Sequence, residues 1–185
     1  MFALIFGLSF LANAQDAKSN QPKGYQFTDI KRLPATSVKD QARAGTCWSW
    51  SGISFFESEM IRMGKEPIDL SAMYIVRHAY SDKATKFVRL HGSMNFAVGG
   101  AFCDVMHVIK NYGIVPMDVY KGLNYGEPNH AFGEIDDVLA GYVNAVIKNS
   151  NKKLSTAWKK GFDGILDAYL GEEPEKFEYK GKEYT

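Results

Sequence analysis

Cysteine is scarce in this chain: Cys47 and Cys103 are the only two among 185 residues. At most one bridge is available, and a chain of this length can bury a core without a staple. Both are therefore read as free thiols. Charge bias is equally lacking. The 22 basic and 21 acidic residues leave a formal net charge of +1, so no strong field draws the chain to nucleic acid or an anionic membrane. Apolar runs are short: the longest, Met1 to Ala14, falls below the about 20 residues that span a bilayer. Internal repeats and low-complexity tracts are absent. Histidine is limited to His78, His91, His107 and His130, and none follows His130.

What is present is the composition of a folded domain, with 45% hydrophobic and 14% aromatic residues. Met1–Ala14 ends in Ala12-Asn13-Ala14, an A-x-A cleavage pattern behind an apolar core, and Gln15 onward turns polar. The basic residues that normally precede such a core are missing, and a buried helix is the bland alternative. A signal peptide over 1–14 and export of the remainder is the favoured reading, and no cysteine follows to carry a lipid. Residues 15–30 then form a polar lead.

Beyond it, Pro34–Gln41 reads as extended, since Pro34 biases Leu33 away from helix. A helix is expected from about Cys47 to Met63, with Ile53, Phe56, Met60 and Ile61 at helical spacing. Asp69 or Ser71 caps a second helix carrying Met73, Tyr74, Val76 and Tyr80, and Lys83–Phe96 is expected to loop over the surface. Gly99-Gly100 opens a third helix, with Val105, Val108 and Ile109 inward. Asn129 is expected to cap a fourth, through Ile135, Leu139, Val143 and Ile147. Leu154–Leu170 reads as a fifth. Phe177–Tyr179 and Glu183–Thr185, flanking Lys180-Gly181-Lys182, read as a β-hairpin.

The chemistry-bearing run is Gln41-Ala42-Arg43-Ala44-Gly45-Thr46-Cys47-Trp48-Ser49-Trp50. A thiol at the start of a helix meets the partial positive charge of the helix N-terminus, which favours the nucleophilic thiolate. The amide of Gln41, six residues upstream, is placed to donate to an oxyanion together with the Cys47 N–H. The bland readings are an inert buried thiol and a surface glutamine. Met73, Phe102 and Met106 are weighed as a specificity pocket, with core packing favoured. Cys103 and His107 stand four apart, but two ligands do not make a metal site. Asp136-Asp137 and Glu172-Glu173 read as solvated charge, and Lys148, Lys152, Lys153, Lys159 and Lys160 as the solvated face of a helix.

Ala44-Gly45-Thr46-Cys47-Trp48 resembles the nucleophile segment of papain-type cysteine peptidases, whose signature is C-G-[SA]-C-[WY]. Ala44 stands where that signature has a cysteine and Thr46 where it has Ser or Ala. Loss of the first cysteine, which forms a disulfide in papain and the cathepsins, is typical of the bleomycin hydrolase and bacterial aminopeptidase C branch. Arg89-Leu90-His91-Gly92, Gly99-Gly100-Ala101-Phe102 and Tyr112-Gly113-Ile114-Val115-Pro116 point the same way.

The resemblance implies an α+β papain-like fold, here incomplete. Residues 31–170 are expected to form the helix-rich lobe with little strand, the β-barrel lobe is absent, and 171–185 begin a branch-specific insertion. It implies a peptidase with Cys47 as nucleophile, Gln41 in the oxyanion hole, and Gly99, Gly100 and Trp48 at the substrate. It needs no cofactor or metal, its partner is a peptide, and rings of six in the family make a homo-oligomer one implied state. The family also needs a histidine and an asparagine far beyond the cysteine, and no residue here matches that histidine's context. A non-catalytic lobe that binds peptide or another chain is the second reading. A redox-sensing Cys47 is disfavoured, because no resolving cysteine is near in sequence.

Overall fold

A computed structural model describes residues 24, 25 and 27–185. The expected signal peptide, and the polar lead up to residue 23, lie outside the described residues. The chain divides into Met1–Arg32 and Leu33–Thr185. The described residues of the first unit form no helix or strand. The second carries five helices and one hairpin among the described residues: α1 (Cys47–Arg62), α2 (Ala72–Arg89), α3 (Phe102–Tyr112), α4 (Gly133–Ile147), α5 (Trp158–Leu170), β1 (Phe177–Tyr179) and β2 (Lys182–Tyr184). This is the helix-rich, strand-poor composition expected for an incomplete α+β fold.

Helix α2 is the centre, packing against α1, α3, α4 and α5. Residues Ala72 to Tyr80 are buried without interruption, the pattern of a helix surrounded on all sides. Ser71 caps it: its Oγ accepts the Tyr74 N–H at 3.0 Å and donates to the Tyr120 carbonyl at 2.6 Å. The expected surface loop over Lys83–Phe96 is incorrect in its first half. Helix α2 continues to Arg89 because Ala84, Phe87 and Val88 extend the buried stripe. Fully burying a side chain such as Phe87 or Val88 is worth roughly 1.5–3 kcal/mol.

Helix α1 buries Trp48, Ser49, Gly52, Ile53 and Glu57; Ser49, Ile53 and Glu57 form a stripe at i, i+4 and i+8, with Trp48 and Gly52 beside it, and the helix packs against α2 and α3. Helix α3 is amphipathic, with Val105 and Val108 inward. The Asp104 carboxylate reaches back to accept the Ala101 N–H at 2.8 Å. Asn129 does not cap α4. The chain there runs beside the Arg43 backbone instead, with Arg43 N–H donating to His130 O at 2.9 Å and Phe132 N–H to Arg43 O at 3.2 Å. Helix α4 therefore starts only at Gly133, with Glu134 and Asp136 in its first turn, where acidic groups suit the helix dipole. Helix α5 begins at Trp158 rather than Leu154; Leu154, Ser155 and Ala157 instead line a surface cavity with Tyr142 and Asn149. The hairpin pairs Phe177 with Tyr184 and Tyr179 with Lys182, so its turn is Lys180-Gly181.

Two acidic groups expected in solvent are not there. Asp136 accepts from the Tyr80 hydroxyl, and its burial raises the carboxyl above the usual range. Glu173 accepts from Tyr74 Oη at 3.1 Å and Arg77 Nη1 at 3.1 Å, and His78 Nε2 lies 2.9 Å away. The His78 ring, foremost, holds this carboxyl below its ordinary value. Arg77, whose side chain is 9% exposed, also pairs with Asp167. This network fastens the chain after α5 onto α2. Among the five lysines, Lys159 is half-buried and bonded to Ser81 and Asp163, so it is not part of a solvated face.

Candidate active site

Cys47 is the first residue of α1 and is exposed. The turn before it is rigidly made. Asp40 Oδ1 accepts the Ala42 N–H at 2.7 Å, Ala44 is 1% exposed, and the Arg43 backbone is paired on both sides with residues 130–132. Gly45 takes φ +65°, with Val98 where a side chain would go, which explains the glycine. Thr46 is fully buried, and its Oγ1 accepts from Trp50 Nε1 at 3.1 Å. The first backbone partner in α1 is reached at the Ser49 N–H. The Cys47 N–H is thus one of the helix's unpaired donors among the described residues.

Gln41 and Cys47 line one cleft of about 430 Å³ with Val38, Trp50, Ser51 and Ser54. Gln41 Oε1 is buried and has no hydrogen-bond partner, leaving the amide nitrogen as the end available to the cleft. The extended run that carries Gln41 is anchored by Glu57, which is 1% exposed. Its Oε2 accepts from Thr36 Oγ1 at 2.5 Å and from Lys39 Nζ, and its Oε1 accepts the Leu70 N–H at 2.8 Å. Lys39 also lies 2.9 Å from Asp69. One buried carboxylate thus joins the nucleophile helix, the glutamine-bearing run and the start of α2. Sequence reasoning missed Glu57 and Lys39. The available signal was a glutamate four residues after Ile53, on the buried face of α1.

Gly99 and Gly100 do not line that cleft; Gly100 packs on Trp48, the residue after Cys47. Trp48 is 8% exposed, so it serves as a floor rather than a contact surface. Its Nε1 donates to Val98 O at 3.0 Å. A Cβ on Gly100 would stand 2.5 Å from Trp48 Cε2, whereas one on Gly99 would meet nothing within 4 Å. Among the described residues Gly100 makes no hydrogen bond through its N–H or carbonyl. An exposed backbone edge of this kind can pair with an extended peptide.

The remaining candidates are placed elsewhere. Met73 is fully buried and belongs to the core. Phe102 is half-exposed and stacks on Phe56, ring centroids 5.7 Å apart. His107 bonds Asp82 at 3.1 Å, and no cluster of three or more metal-ligating side chains occurs among the described residues. Cys103 is exposed in the first turn of α3. No histidine hydrogen-bonds the Cys47 thiol among the described residues. His78 is 5% exposed against Tyr112 and Glu173. His130 sits edge-on to Trp50 at 6.0 Å, and burial lowers its ring below the ordinary histidine value. No helix among the described residues is long and apolar enough to cross a membrane.

The structure thus brings an exposed thiol at a helix start and a glutamine amide into one cleft, with a glycine edge packed on the adjacent indole. The family model for papain family cysteine proteases matches residues 22–160, and the chain belongs to that family. A "Cathepsin B-like CP2" of Giardia intestinalis is 28% identical over 92 residues, or 44% of this chain and 31% of that protein. PepW from Lactobacillus rhamnosis HN001 has a similar fold, with a TM-score of 0.57 at 19% identity. That match covers 85% of this chain and 42% of PepW. The chain thus spans less than half the length of either relative.

Proposed function

We propose that this chain carries the nucleophile half of a cysteine peptidase that cleaves peptide bonds through an acyl-enzyme on Cys47. The thiolate sulfur adds to the substrate carbonyl, and the oxyanion is met by the Cys47 N–H and the Gln41 amide. The carbon–nitrogen bond then breaks, the amine leaves with a proton, and water hydrolyses the thioester. A histidine and an orienting asparagine are needed to move those protons. In this reading both come from outside these 185 residues, since no described histidine engages the thiol. The observation that carries it is the shared cleft of Cys47 and Gln41.

Within the family, the sequence favours the bleomycin hydrolase and aminopeptidase C branch, chiefly through Ala44 in place of a cysteine. Export is favoured by the Met1–Ala14 pattern. The test is acylation by a peptidyl p-nitrophenyl ester, followed by mass spectrometry. An adduct on the parent chain that is lost in Cys47→Ser supports the reading; an adduct of equal yield in Cys47→Ser refutes it.

A second reading, a lobe that binds peptide without cleaving it, is favoured by the unpartnered thiol. Tight peptide binding in calorimetry, with no acyl adduct, selects it.

A further inference from the structure

Three successive carbonyls lead up to Gly100, and all three are captured by side chains. Val98 O accepts from Trp48 Nε1 at 3.0 Å. Ala97 O accepts from Lys83 Nζ at 3.3 Å, and Gly99 O accepts from the same ammonium. Lys83 lies on the part of α2 that carries the helix past Tyr80, and its Nζ stands 5.5 Å from the Trp48 ring centroid and 5.9 Å from that of Tyr80. The side chain is thus held over two aromatic faces, a favourable place for a cation. Burial lowers Lys83 from the ordinary lysine value, while the Asp104 and Asp136 carboxylates favour its charged form.

The geometry assigns Lys83 a role in the peptidase site: it is a positioning residue that clamps the Gly99–Gly100 edge onto Trp48 and so fixes the register in which a peptide backbone meets Cys47. This rests on the reading of Gly100 as a peptide-binding edge. The first indole after the nucleophile holds one carbonyl, and the ammonium from the central helix holds the two around it. With all three carbonyls taken, the next N–H and carbonyl, those of Gly100, are the pair left for a substrate. The two Lys83 bonds are exposed but charge-assisted, the stronger class of hydrogen bond, and the indole bond beside them is part-buried.

The test compares two reagents for the same thiol. Iodoacetamide needs only an accessible Cys47, whereas a dipeptidyl chloromethyl ketone also needs the glycine edge. Both rates are measured in a Cys103→Ala background. Lys83→Met keeps the stem over the rings and removes the donors. Its dipeptidyl rate is expected to fall about tenfold, the loss of roughly one charge-assisted hydrogen bond, while its iodoacetamide rate is unchanged. Lys83→Arg, which keeps a charged donor, recovers part of the loss. An unchanged dipeptidyl rate in Lys83→Met overturns the assignment and leaves the peptidase reading intact. Parallel loss of both rates also overturns it, because Lys83 then supports the fold at large. A parent chain that reacts no faster with the dipeptidyl reagent than with iodoacetamide overturns the peptide edge itself, and the assignment with it. If Lys83→Met loses its helical circular dichroism, Lys83→Gln is read by the same two rates.

Discussion

Alanine at Gly100 and alanine at Gly99 are the same chemical change one residue apart, and opposite outcomes are expected. On Gly100 the new Cβ would stand 2.5, 2.6 and 2.9 Å from three Trp48 ring atoms. Non-bonded carbons settle at about 3.5–4.0 Å, so the backbone or the ring must give by about 1 Å. The ring is held, being 8% exposed and bonded through Nε1 to Val98 O, and the exposed glycine segment therefore moves. Overpacking of this kind costs roughly 1–3 kcal/mol, or a fall in Tm of about 2–4 °C for each kcal/mol in a chain of this size. A peptide displaced by about 1 Å from the thiol loses on the order of 10²-fold in reaction rate. On Gly99 a Cβ meets nothing within 4 Å, and neither quantity should change appreciably. The assay is the dipeptidyl labelling rate of Cys47 together with thermal melting. Equal losses in the two variants, or none in Gly100→Ala, would refute the reasoning.

Gln41→Ala removes one oxyanion donor and is expected to slow acylation of Cys47 by a peptidyl ester about 10²–10³-fold, with Tm nearly unchanged; an unaltered rate excludes Gln41 from the site. Glu57→Gln removes the buried carboxylate's charge while Lys39 keeps Asp69 at 2.9 Å, and is expected to destabilise by about 1–3 kcal/mol through the weakened hydrogen bonds. An unshifted urea midpoint contradicts the anchoring role. His130 titrates below its ordinary 6.5 in the folded chain because burial disfavours the charged ring. The unfolded chain then binds the extra proton, so this contribution is complete above pH ~6.5 and is lost as pH falls through that value toward the folded one. Urea midpoints measured downward from pH 7.5 should drop over that window, and His130→Phe should flatten the drop; an identical slope in the variant removes His130 as the cause.

Much of the fold was legible because local signals and packing agree. Helix α1 begins and ends within a residue of expectation, since its apolar positions recur at helical spacing. Of the two expected caps, Asp69 and Ser71, it is Ser71 that caps α2, and the hairpin appears with its turn one residue shorter. The errors share a cause: charge hides burial. Lys83, Lys86 and Arg89 interrupt the text of α2, while Ala84, Phe87 and Val88 keep its inner face apolar. Asn129 carries cap chemistry, but the partner of that segment is the Arg43 backbone, about ninety residues away, which local text does not reveal. The site divides in the same way. The meeting of Cys47 and Gln41 in one cleft was legible from a short motif, whereas Glu57 and Lys83 make their contacts 18 and 16 residues away along the chain. Asp136 and Glu173 were mistaken for solvated charge because the groups that bury them, Tyr80 and the Tyr74–Arg77–His78 face, lie on another helix.

The central claim is that Cys47, and not merely any exposed thiol at a helix start, is built to meet a peptide. Cys103 is the internal control, being also exposed and also in the first turn of a helix. Mapping the adduct of a limiting dipeptidyl chloromethyl ketone by peptide mass spectrometry tests the claim most directly. The account requires the label on Cys47, with Cys103 left free at the same exposure. Label shared equally between the two, or carried by Cys103, would contradict it.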